Sequence, residues 1–329
     1  MPLPQLTGVA PHRAVAGGRV RLEVTGLDAN AGLPVIRIGD HVERAGFASG
    51  DRVTFTVPDD ISGSAVPLRL ESAPGQTVFL DVGRRLATGL HQVDSAAVDA
   101  HGNVYATYSG PRGQQSSVSV YRISPAGVRD VFVTGITNAT SLAFDPEGRL
   151  HVSSRFDGTV SRIDQDGNAG VIASDLGVAT GIAFDPDGVL YVGDRSGTIF
   201  RIGRAGGPIA FASLPPSVAA YHLAWGPDGA LYVTAPTLSS RDRLYRLGRH
   251  GDLSVVYEGF GRPQGLAVDA EGTIYVADAL AGSSGIYRLR PGDTQPECII
   301  SGPSLIGVTL HPAGGFVIST ADTVYYLPG

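Results

Sequence analysis

The chain has 329 residues, 43% hydrophobic and 17% charged, with a net charge of -6; this is ordinary globular composition, with apolar mass for one large or two modest cores. All 25 basic residues are arginine, so Schiff-base chemistry on a lysine is excluded. The single cysteine, Cys298, excludes an internal disulfide and a cysteine metal cluster. The charges are mixed along the chain, without the basic stripe that nucleic-acid binding needs, and no apolar run approaches the roughly 20 residues of a membrane span.

The opening MPLPQLTGVAPHRAVAGG carries no basic segment followed by an apolar one, so no signal peptide is expected. The compartment stays open: cytoplasmic as written, periplasmic or secreted where a leader has been removed. RVRLEV from Arg19 alternates polar and apolar residues, and PVIRIGD, RVTFTVPDD and AVPLRLESAPG follow with turns between them. Such alternation, broken by frequent Gly and Pro, predicts a small β-sandwich over residues 1–76.

From Asp94 onward a sixteen-residue pattern recurs. DSAAVDAHGNVYATYS is followed by copies starting at Thr140, Thr180, Tyr221, Gln264 and Ile306, in steps of 40 to 46 residues. Each copy has an apolar strand (GIAF), a turn (DPDG) and a second strand (VLYV). A third strand follows, as in IFRI at Ile199, and in most copies a fourth, as in IAFAS at Ile209. Four short strands in each repeat of about 40 residues is the grammar of a propeller blade. The sixth copy stops after its third strand. TVFLDVGRRLATGL, from Thr77, reads like the fourth strands, so Val78 to Val82 is expected to complete blade six and remove the open sheet edges. The predicted fold is therefore all-β, a six-bladed β-propeller over 77–329 preceded by an immunoglobulin-like β-sandwich.

DPDG, like DQDG at Asp164, contains the acidic residues of a calcium loop, but a strand follows it directly. An EF-hand needs oxygens at alternating positions over twelve residues, flanked by helices. A tight turn needs only an Asp to accept backbone hydrogen bonds, a Pro to preset φ, and a Gly for the left-handed position. The string is read as a turn.

With IYRL after it, GLAVDAEGTIYVADA resembles the NHL-repeat and gluconolactonase–regucalcin group of six-bladed propellers. Val9-Ala10-Pro11, Gly17-Gly18, Val24-Thr25-Gly26, Ile38-Gly39, Val57-Pro58 and Gly63 resemble the marks of an IPT/TIG domain, which implies a spacer, docking or interaction module. In the lactonases of the first group a divalent metal sits at the channel mouth on a Glu and several Asn or Asp. The matching positions here are Asp94, Thr140, Thr180, Tyr221, Gln264 and Ile306. Only one is a carboxylate, whereas a hard cation wants several oxygen ligands. No metal ligand is assigned and no cofactor is required; a calcium ion at the mouth stays open.

The same mouth can bind a ligand. The ring positions Thr140, Thr180, Tyr221 and Gln264 join the second-strand exits Tyr108, Ser154, Asp194 and Asp278, with Arg195 beside them. Loops 109–117, 236–242 and 279–284 are expected to form the rim. Each position has a plainer alternative. Asp194 and Asp278 also suit loop caps, Arg155 and Arg195 also suit ion pairs, and His222 also suits a buried, satisfied histidine. Arg122, Arg162, Arg201, Arg246 and Arg288 recur in third strands and read as structural. The expectation is a binding or scaffold protein for a small molecule, glycan or peptide, with protein docking through the sandwich. Its rival is a lactone hydrolase or lyase using Asp94, His222 and Arg155 as acid–base and anion-binding groups.

Overall fold

A computed structural model describes residues 3–28, 32–203 and 206–329. The described residues form strands and turns without a helix. The N-terminal unit has two sheets around one core. One sheet orders the strands Gln5–Ala10, Arg19–Thr25, Arg52–Thr56 and Phe47–Ala48; the other runs His41–Arg44, Val35–Ile38, Gly63–Leu70, Val78–Val82 and Arg13–Ala14. Strand Arg19–Thr25 alternates strictly, with Val20, Leu22 and Val24 inward against Ile36, Phe55, Leu68 and Leu80. Period-two burial of this kind is what RVRLEV dictates once one face meets a second sheet.

Six four-stranded antiparallel units follow, in a propeller-type fold. Blade one is Ala97–Val98, Val104–Thr107, Val120–Ile123 and Arg129–Val133. Blades two to five begin with the strands Ala139–Phe144, Ala179–Phe184, His222–Trp225 and Pro263–Val268, and blade six with Leu305–Leu310. Each first strand touches that of the next blade, and blade six touches blade one, so the ring closes. One apolar cluster fills each seam. Tyr105, Val120 and Leu150 join blades one and two; Leu86, Val104, Val317 and Val324 join six and one.

The closing strand is not the expected one. Val78–Val82 pairs with Gly63–Leu70 and Arg13–Ala14 and buries Leu80 and Val82 in the N-terminal core. Blade six is completed instead by Arg84–Ala87, antiparallel to Val324–Leu327. The N-terminal sheet thus runs through Val82, and blade six takes up the chain at Arg84. The physical reason lies in what an outermost strand requires. Arg129–Val133 and Ala169–Ala173 each bury only their last residue, so a polar RRLA with one inward Leu86 suffices. The tail that follows could have set the register, since Thr88-Gly89-Leu90 matches Thr134-Gly135-Ile136, with Leu90 and Ile136 both buried.

The two units are tied together. Ala14 pairs in parallel with Ser301 of blade five, which makes one continuous nine-stranded sheet. Val15 and Ala16 enter the seam between blades five and six. Gly18 is required there, because a Cβ would stand 2.5 Å from the Ser301 carbonyl oxygen.

Candidate functional site

The blade turns settle where the acidic residues point. Asp185 Oδ1 accepts from the backbone N–H groups of Asp187 and Val189, at 3.0 and 2.9 Å. Asp164 accepts from Asp166 N, Asn168 N and Asn168 Nδ2. The fourth turn residue is left-handed in all six copies, from Gly102 at φ 80° to Gly314 at φ 88°. These carboxylates serve the backbone. Third-strand arginines stay on the blades: Arg246 pairs with Asp228 at 2.7 Å, Arg288 with Glu297 at 2.6 Å, and Arg122 and Arg201 lie over Phe132 and Phe211.

Where the first strands begin, ring closure brings Asp94 and His222 together, 128 residues apart in sequence. They stand on blades one and four, opposite sides of the ring. His222 Nδ1 donates to Asp94 Oδ1 at 2.6 Å, and Ser95 N donates to the same oxygen at 2.7 Å. His222 fits because the equivalent residues around it are small: Ser141, Gly181, Gly265 and Gly307. The pair is nearly sealed, with His222 1% and Asp94 6% exposed. His222 Nε2 has no hydrogen-bond partner among the described residues. An imidazole held by a carboxylate at one nitrogen with the other free is arranged for proton transfer.

The other ring hydroxyls are engaged within and between blades. Thr180 Oγ1 donates to Gly193 O (2.9 Å) and accepts from Tyr221 N (3.1 Å), while Ser153 Oγ donates to Thr180 O (2.6 Å). Thr140 donates to Asn138 O at 2.8 Å. Ser154 Oγ lies 2.6 Å from Thr137 O and accepts from Asp157 N. The Gln264 carbonyl accepts from Thr234 Oγ1 at 2.5 Å. Tyr221 is fully buried; its hydroxyl donates to Pro215 O, and burial raises its pKa. Asp194 accepts from Val178 N, Ser196 N and Ser196 Oγ, and Asp278 from Gly261 N and Arg262 N. Both carboxylates therefore cap loops. Tyr108 turns from the axis onto His91 and Tyr121, with ring centroids at 5.9 and 6.2 Å.

Arg155 is different. It is half-buried with an unpartnered Nε, and burial lowers its pKa, helped by the like charges of Arg112 and Arg195. Arg112 was missed in the sequence because it arrives on loop 109–117. Asn138, at φ 50°, holds that loop: its Nδ2 donates to Ser109 O and Pro111 O and its Oδ1 accepts from Gly113 N. Gly113 then rests against Phe156, next to Arg155. Loop 279–284 is not only rim, since Gly282 and Ser283 line a cleft against the N-terminal unit. Among the described residues no group of three or more His, Cys, Asp or Glu is placed to hold a metal ion.

These features describe a propeller-type fold with an arginine cluster and a buried Asp–His pair. A strictosidine synthase-like, N-terminal family profile matches residues 181–202, within blade three. No curated protein matches the chain. Among solved structures, a gluconolactonase from Xanthomonas campestris superposes with a TM-score of 0.63 at 17% identity, covering 74% of this chain and 88% of that one. An auxiliary nutrient binding protein from Bacteroides thetaiotaomicron gives 0.58 at 12%, covering 99% and 97%. A catalytically inactive histidine-to-alanine variant of virginiamycin B lyase from Staphylococcus aureus, with quinupristin, gives 0.53 at 14%, covering 99% of each chain. At these identities the likeness is one of fold.

Proposed function

We propose that this is a ligand-binding propeller whose mouth recognises an anionic group on a small molecule, glycan or peptide. The observation that carries it is Arg155, a half-buried guanidinium with a free Nε and only like charges, Arg112 and Arg195, acting on it. Such a group lacks the counter-charge that buried guanidinium groups ordinarily have, and a carboxylate would supply it in bidentate geometry. The nutrient-binding neighbour that spans nearly the whole chain supports a small-molecule ligand. We read the N-terminal unit as an immunoglobulin-like IPT/TIG domain serving as a spacer or docking module. In support, four glycines of its marks, Gly17, Gly26, Gly39 and Gly63, have positive φ. The test is calorimetric titration with glucuronate, galacturonate, gluconate and an acidic tripeptide. Arg155→Ala should weaken binding of the ligand found by about tenfold or more, ~1.4 kcal/mol. Equal affinity for neutral sugars, or an indifferent Arg155→Ala, would sink the reading.

A second reading rests on the 2.6 Å Asp94–His222 bond and the free Nε2: proton abstraction or donation in a lactone hydrolase or lyase. It takes second place because the imidazole is sealed and must be uncovered by the ligand. Turnover of a lactone panel, lost in His222→Ala and in Asp94→Asn, would promote it.

A further inference from the structure

We propose that the cleft between the N-terminal unit and the flank of blades five and six is a second, separate binding site, for an oligosaccharide bearing several carboxylate or sulfate groups. The cleft has a volume of about 1360 Å³, above the roughly 300–1,000 Å³ of a site for one drug-sized ligand. Five arginines line it, Arg13, Arg19, Arg21, Arg52 and Arg288, with one carboxylate side chain, Glu297.

The positive charge survives pairing. Arg288 is taken by Glu297 at 2.6 Å, Arg21 meets Glu23 at 3.4 Å, and Arg13 stands 3.8 Å from Asp81. Arg19 and Arg52 have no ion pair among the described residues; Arg52 lies over the Phe47 ring at 5.5 Å. Three of the arginines, Arg19, Arg21 and Arg52, belong to one sheet face. Arg19 and Arg21 alternate outward on Arg19–Thr25, and Arg52 starts the neighbouring strand opposite Glu23. An outer sheet face ordinarily meets solvent, but the Ala14–Ser301 pairing turns this one toward the propeller. Arg19 also borders a smaller adjoining cavity of about 280 Å³ with Ser283 and Ser284. Across the cleft Tyr275 and Phe316 meet edge to face at 5.1 Å. Guanidinium forks spaced over two units suit several separate oxyanions, and aromatic and aliphatic walls suit the apolar faces of sugar rings. An extended nucleic acid is the poorer fit, because the chain carries a net charge of -6 and no basic stripe continues from the cleft.

The test titrates the full chain with a heparin hexasaccharide, an oligogalacturonate, neutral cellohexaose and a single-stranded DNA 12-mer. Saturable binding of a charged oligosaccharide, weakened about tenfold or more by raised salt, is expected. The Arg19→Ala/Arg52→Ala variant should lose at least about tenfold, whereas Arg162→Ala, an exposed arginine on blade two, should bind like the parent. Both cleft arginines are exposed, so the double variant should keep the parental melting curve. No binding of either charged oligosaccharide, an unaffected double variant, or equally tight DNA or cellohexaose binding overturns the proposal. None of Asp94, Arg112, Arg155, Arg195 and His222 lines the cleft, so an Arg155 result bears on the first reading alone.

Discussion

The Asp94–His222 bond makes a demanding prediction, because it joins opposite blades. In His222→Ala a carboxylate that is 6% exposed keeps one hydrogen-bond donor, Ser95 N. Stripping a buried carboxylate of one of its two donors costs about 1.5–3 kcal/mol. Asp94→Asn keeps the volume and weakens one charge-assisted bond, about 1.5–3 kcal/mol. In the double variant much of this cost is shared, so the cycle should show a coupling of about 2 kcal/mol. With 329 residues and about 2.1 cal/mol/K per residue, the entropy at the midpoint is about 0.7 kcal/mol/K. His222→Ala should then lower Tm by about 2–4 °C if the ring melts as one unit. Trp225, the single tryptophan, reports locally. It ends the strand that His222 begins and stacks on Tyr191 at 5.2 Å. Urea melts followed by its fluorescence give the four corners of the cycle. Additivity within about 0.5 kcal/mol would mean the two side chains do not meet and the mouth is open.

Leu86→Ala should destabilise by about 2–5 kcal/mol and raise hydrogen exchange in Val324–Leu327, whereas Leu80→Ala should act on the N-terminal unit; the reverse pattern would restore Val78–Val82 as the closing strand. His151 is buried, its Nδ1 3.0 Å from Arg149 O, and burial holds its pKa below the ordinary value against the pull of Asp145. A depressed histidine pKa means the unfolded chain binds the extra proton, so this contribution is whole above about pH 6.5 and is lost as pH falls through the folded pKa, with a slope of up to about 1.4 kcal/mol per pH unit. His151→Gln should flatten urea-melt stability over that window; an unchanged slope would show that another group titrates. Excess chelator should leave the melting midpoint where it was, since the turn carboxylates are occupied by backbone donors; a fall of tens of degrees, with calcium copurifying, would show a metal-built fold.

Much of the architecture was legible because it is local. An Asp that accepts from the next residues and a left-handed Gly three positions on make a hairpin wherever they occur, as at Asp185 and Gly188. Apolar strands on either side, repeated six times, leave little besides a propeller. The sequence offers Asp94, His222 and Arg155 as acid–base and anion-binding groups, yet only the Asp–His contact is formed by closure. A histidine among small residues is visible in one dimension; what stands across the channel from it is not.

The remaining decisions belonged to tertiary structure, and for one reason: they concern groups whose partners lie on another blade or in the other unit. Thr180 offers the same hydroxyl to a ligand or to a neighbouring strand, and only the spacing of blades three and four gave it to Tyr221 N. Arg112 meets Arg155 because Asn138 folds a loop across a seam. RRLA closes the ring, although VFLDV looks more like a strand, because an outer strand needs one buried side chain while the N-terminal core needed two. Sequence alone determined the repeat, the turns and the absence of lysine chemistry. Which surfaces face each other, and so where arginines gather without counter-charge, was decided by the closure of the ring and by the pairing of Ala14 with Ser301, since burial and charge are properties of neighbours in space.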